Sequence, residues 1–123
     1  MNIQKFTRPM RYLLKRKYCG AVIVAAGNAS RMGGIDKVMA PLDNEPMLVK
    51  SLRAFEGCPA VDEIVVVTRP DLLRTVMELC DEFEKVTAVV AGGSCRPESV
   101  KNGLNALSKR VKLAAVHDSA RPL

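Results

Sequence analysis

The chain has 123 residues, 48% of them hydrophobic, with 19 basic against 13 acidic side chains and a formal net charge of +6. That is one domain's worth of chain with apolar material for a single core. Four cysteines without a C-x-x-C pair and a single histidine exclude a zinc site or a disulfide framework, and no apolar run reaches the length of a membrane span.

The first element is an extension, Met1 to Tyr18, which carries Lys5, Arg8, Arg11, Lys15, Arg16 and Lys17 and no acid. These six cations account for the whole net charge and leave the body formally neutral, so the basic pI near 9.4 says little about the body's partners. Pro9 interrupts its helical spacing of apolar residues, so a frayed, solvated tail is expected over 1–18 and the folded domain over 19–123. Binding to an anionic surface or a short transit signal are the alternatives for the tail. Nucleic-acid binding ranks last, because the extension has no interleaved stacking aromatics. Cys80 is expected in the core as a reduced thiol of a cytoplasmic protein.

Ala21 to Ala26 is six apolar residues without interruption, the pattern of a central strand covered on both faces. Gly27, Asn28, Gly33 and Gly34 follow, able to take positive φ and to bring bare backbone N–H groups close to a phosphate. Two familiar loops are excluded by spacing. Lys37 comes three residues after Gly34 and is followed by Val38, which rules out a Walker A loop, and Ala29 and Met32 stand where a dinucleotide fingerprint needs glycine. What remains is a glycine-bearing loop with Arg31 inside it and Lys37 at its exit, suited to negative charge growing on phosphorus. An ordinary strand-to-helix loop with both cations in solvent is the plain alternative.

Next come a short apolar patch from Lys37 to Leu42 closed by a turn, and a helix opened by Pro46 that buries Leu48, Leu52 and Phe55. Val61 to Thr68 reads as a second buried strand. A second helix from Pro70 is expected to turn Leu72, Leu73, Val76, Met77, Cys80 and Phe83 inward. Val86 to Ala91 is a third strand running into Gly92 and Gly93, and a third helix starts near Pro97 with Val100, Leu104, Leu107 and Val111 inside. It tolerates Gly103 at a cost of about 1 kcal/mol. Leu113 to Val116 is a fourth strand of buried type.

Alternating strands and helices with short connections imply an α/β fold, a Rossmann-like parallel sheet with flanking helices, truncated after its fourth main strand. Ligands in such sheets sit beyond the carboxyl ends of the strands where strand order reverses, so Gly27 to Lys37, Gly92 to Ser99 and His117 to Arg121 should converge. Asp118, directly after the fourth strand, puts a carboxylate there, where a hard divalent cation on substrate phosphates takes one or two. Taken alone it is equally a turn aspartate. Gly92 and Gly93, followed by Ser94, Arg96 and Ser99, resemble a pocket reading a flat ligand edge.

Together A-A-G-x-x-x-R-M-G at Ala25 to Gly33, Lys37, G-G-x-x-R-x-x-S-V at Gly92 to Val100 and H-D-S-A-R-P at His117 to Pro122 resemble the 2-C-methyl-D-erythritol 4-phosphate cytidylyltransferase family. The resemblance covers Ala21 to Leu123, and ribitol-5-phosphate cytidylyltransferase, with a similar last motif, is the sister alternative. It implies a nucleotidyltransferase of the glycosyltransferase-A-like fold that moves CMP from CTP to a sugar-alcohol phosphate with Mg2+, a homodimer at full length. By similarity Arg31 and Lys37 would grip the triphosphate and Ala25, Ala26 and Gly27 would lie against the nucleotide. Gly93, Ser94 and Ser99 would read cytosine, Asp118 would serve the metal, and Ser119 and Arg121 would approach the acceptor. Ala29 departs from the family's frequent glycine and Asp36 from its frequent proline. The family's chains continue for about as long again, so these residues alone are expected not to turn over substrate. A non-catalytic nucleotide-binding remnant stays open beside the enzyme.

Overall fold

A computed structural model describes residues 17–26, 31–32, 35–36, 41–42 and 45–119, with side chains at 17–26 and 47–119. Strand β1 is Cys19–Ala25. Two short antiparallel pairs follow, β2 (Arg31–Met32) with β3 (Ile35–Asp36) and β4 (Pro41–Leu42) with β5 (Glu45–Pro46). Then come α1 (Met47–Glu56), β6 (Glu63–Thr68), a 3-10 turn (Pro70–Leu72), α2 (Leu73–Cys80), β7 (Val86–Ala91), α3 (Arg96–Ala106) and β8 (Leu113–Asp118). Pro46, expected to open a helix, instead closes β5, and the helix begins one residue later.

The main sheet has the order β7-β6-β1-β8, all parallel. β1 is central, and the chain moves outward on one side through β6 and β7 before crossing back to place β8 on the other. The strand order therefore reverses between β1 and β8. Every residue of β6, and all of β1 after Cys19, is buried. Alternate residues of these strands serve two cores, as period-two geometry requires. Ala21, Ile23, Ala25, Ile64 and Val66 pack with Leu48, Leu52, Val76, Cys80 and Phe83 from the α1 and α2 side. Val22, Val24 and Val67 pack with Val90, Val100 and Leu107 from the α3 side. Cys80, buried as expected, has its thiol pushed up to about 11 by burial, and none of the four cysteines is in a disulfide.

Two expected core positions are corrected. Met77 is 54% exposed and Leu104 40% exposed. Each lies one residue past an inward position, Val76 and Gly103, and about 100° of helical rotation carries it to solvent. On α3 the face toward the sheet is small: Ser99 and Gly103 are its buried residues. A β-carbon on Gly103 would overlap Val22 and come within 2.7 Å of Val67, so this glycine is where the helix touches the sheet. The fourth strand runs two residues longer than expected, to Asp118, and its apolar residues have little cover, with Leu113 at 51% and Val116 at 42% exposure. It has β1 on one side and, among the described residues, no strand on the other.

The amino edge of the sheet is tied by polar contacts. Glu63, 2% exposed, accepts from the Ser108 hydroxyl at 2.6 Å and the Ser108 N–H at 2.9 Å. Burial pushes its carboxyl up, but bonds from Ser108, Tyr18 and Thr87 outweigh burial and hold it below the usual glutamate range. Arg110 lies over the Tyr18 ring at 4.3 Å, and the Tyr18 carbonyl accepts from Lys112 N–H. No helix among the described residues is long and apolar enough to cross a membrane.

Two measurements check this packing. Gly103→Ala should lose about 1–3 kcal/mol in urea denaturation, reversing the gain that this exchange brings at an open helix site. Because the folded carboxyl of Glu63 is depressed, its stabilisation is present above the ordinary glutamate range and lost as pH falls below that range through the folded value. Glu63→Gln should flatten that part of the stability profile relative to wild type.

Candidate active site

The carboxyl edge is built from chain turns that the strand order brings side by side. Ala25 ends β1 in register with Thr68 of β6, and Thr68 is followed across the sheet by Ala91 at the end of β7. Gly92 N–H donates to the Thr68 carbonyl at 2.7 Å, carrying the pairing one residue past the strand. A β-carbon at Gly92 would overlap Ala26 and reach Ser99 Oγ at 2.7 Å. Only glycine lets the turn after β7 close onto the residue after β1 and onto α3 at once. The loop Gly92–Ser94 and Ala25–Ala26 are thus one surface; the expected convergence of Gly27 and Lys37 with it lies outside the described residues.

Within that surface Gly93 N–H donates to Ser99 Oγ at 3.0 Å, and Ser99 is fully buried in the first turn of α3. The Ser94 hydroxyl donates to Glu98 Oε2 at 2.9 Å. Asn102, one turn further along α3, donates from Nδ2 to the Ala91 carbonyl at 3.2 Å and so holds the last residue of β7. Glu98 and Asn102 escaped the sequence reading. No local signal marks either: the N-cap is Cys95, and the step from Ser94 to Glu98 is one residue longer than a capping box.

On the other side of β1, Asp118 lies in register with Val24. Ser119 is fully buried, and both its N–H (3.1 Å) and its hydroxyl (3.3 Å) go to the Val24 carbonyl. That bond makes Ser119 the clasp between β8 and β1. His117 meets α1: its Nε2 is 3.4 Å from Ser51 Oγ, and its ring tilts 59° against Phe55 with centroids 5.5 Å apart. Burial lowers the His117 pKa, and the Asp118 charge offsets part of that. The imidazole is accordingly neutral at pH 7, anchoring the strand that carries Asp118.

Of the other candidates, Arg31 has its backbone in β2 beside Asp36. Gly27, Lys37 and Arg121 lie outside the described residues, as do residues 1–16 of the basic extension. The described residues contain no cluster of three or more His, Cys, Asp or Glu side chains. Asp118, at the end of β8, fits a magnesium that arrives on phosphate oxygens and keeps its waters, and does not fit an all-protein cage.

A half-Rossmann sheet with glycine turns and one carboxylate at its switch point has the architecture of the α/β nucleotidyltransferases. Residues 19–123 match the family model described as IspD, 2-C-methyl-D-erythritol 4-phosphate cytidylyltransferase. The chain belongs to that family. It is 44% identical over 106 residues to the Dehalococcoides mccartyi protein of that name, covering 85% of this chain and 46% of the relative. The Symbiobacterium thermophilum protein of the same name is 44% identical over 103 residues, 83% of this chain and 43% of that one. Among solved structures, the 4-diphosphocytidyl-2C-methyl-D-erythritol synthase of Anaerococcus prevotii superposes with a TM-score of 0.76 at 27% identity, over 90% of this chain and 47% of that chain. The chain thus spans about half the length of the curated relatives it matches.

His117 is the sole histidine, so its ring resonance needs no assignment. In an NMR titration its pKa should fall below 6.5, and Phe55→Ala, which opens the ring to water, should raise it.

Proposed function

We propose that this chain carries the nucleotide-binding part of an enzyme that transfers CMP from CTP to 2-C-methyl-D-erythritol 4-phosphate and releases pyrophosphate, in the synthesis of isoprenoid precursors. The observation that carries the reading is the joined surface of Ala25–Ala26 with the Gly92–Ser99 turn, which lies at the switch-point edge and in a chain of this family. An oxygen of the acceptor phosphate attacks the α-phosphorus of CTP in line, the bond from that phosphorus to the bridging oxygen breaks, and pyrophosphate leaves. No protein nucleophile takes part, so the protein supplies position and charge.

In this reading Ala25, Ala26 and Gly27 give the nucleotide a close backbone wall. Arg31 and Lys37 hold the triphosphate and stabilise charge as the α-phosphorus becomes five-coordinate. Gly93, Ser94 and Ser99 read the cytosine. Asp118 holds magnesium, which when bound draws charge from the phosphate oxygens. Ser119, through the β8–β1 clasp, and Arg121 shape the acceptor side. The resemblance supports a homodimer at full length, acting in the cytoplasm with CTP and a sugar-alcohol phosphate and with neither nucleic acid nor membrane as partner.

Pyrophosphate release from CTP by the full-length protein, with methylerythritol phosphate and ribitol phosphate compared, tests the reading. Turnover should favour the former, Lys37→Ala should lower kcat by roughly 100- to 1000-fold, and residues 1–123 alone should release none. Silence with both acceptors would move the assignment to a nucleotide-binding remnant.

A further inference from the structure

The two serine hydroxyls of the Gly92–Ser99 turn have different hydrogen-bonding roles left to offer. Ser99 Oγ accepts the Gly93 N–H at 3.0 Å inside a fully buried site and keeps both its proton and one lone pair. For Ser94 the proton is committed. A carboxylate only accepts, so the 2.9 Å bond to Glu98 Oε2 takes the Ser94 proton, and the Ser94 N–H points to the same oxygen at 3.4 Å. Ser94 Oγ is left with lone pairs. Glu98 reaches it by lying along Gly93, where any β-carbon would overlap the Glu98 chain.

We propose that Glu98 sets the base specificity of this turn by holding the Ser94 proton, which leaves Ser94 Oγ an acceptor. Cytosine is complementary to that, because its exocyclic amine donates. Uracil carries O4 at the same position and sets lone pairs against lone pairs. The inference rests on the reading that this turn holds the nucleobase. Glu98 acts through Ser94, so it is a positioning residue.

Dissociation constants of CTP and UTP, measured by calorimetry on the full-length protein without acceptor, test this. Glu98→Ala removes the acceptor and frees the serine proton to turn toward uracil O4. The CTP-to-UTP affinity ratio should fall roughly tenfold or more. Ser94→Ala, at an exposed position, should lower the ratio comparably, and the double variant should lower it no further. A wild type without CTP preference, an unchanged ratio in Glu98→Ala, or additive losses in the double variant would each overturn the proposal. Selective CTP binding with no turnover on either acceptor would count against the proposed reaction and leave this inference standing.

Discussion

The contact on which the rest depends is the close seating of α3 on β1 and β6. Gly103 lies against Val22 and Val67 with no room for a β-carbon, and Ser99, one turn earlier, is buried at the same interface. A helix with large residues on this face would stand further from the sheet, since ridges of Leu or Val set interaxial distances by their own size. The turn preceding α3 would then be lifted from the end of β1. Small residues give up buried apolar area here, and what they gain is the approach of Gly92 to Ala26 that makes two loops into one surface.

The two ends of the sheet use polar groups differently. At the amino edge the carboxylate of Glu63 is turned inward and held by the Ser108 N–H and hydroxyl. At the carboxyl edge the bonds are of another kind: they fix backbone and hydroxyls while leaving one role of each group open. Asn102 holds the Ala91 carbonyl, Ser99 receives Gly93, and Ser119 binds Val24. Preorganised donors and acceptors of this sort need no rearrangement when a charged ligand arrives, which is where an enzyme of phosphoryl chemistry draws most of its effect.

β8 links these ends to the switch point. Its first four residues are exposed and contribute little to either core, so the strand is held by its ladder with β1, by the Ser119 clasp and by His117 reaching Ser51 and Phe55 on α1. Asp118 inherits its position from those anchors. A strand secured at its carboxyl end, beside the switch point, holds the carboxylate firmly even though its middle is in contact with water.

The α/β alternation, the central place of β1 and the glycine turn after β7 were legible in the sequence, because period-two and period-3.6 apolar patterns and glycine turns are local signals. The motifs at Ala25, Gly92 and His117 named the family for the same reason. Which face each helix presents was legible only in part: Val76 and Cys80 followed the apolar pattern, but on α3 the pattern favoured Leu104, and the inward residues are Ser99 and Gly103. Hydrophobicity does not record where a backbone must come close. The tertiary structure alone decided the pairing of Ser51 with His117, 66 residues apart, and of Asn102 with the end of β7, since such contacts exist only after the crossovers have set the strand order.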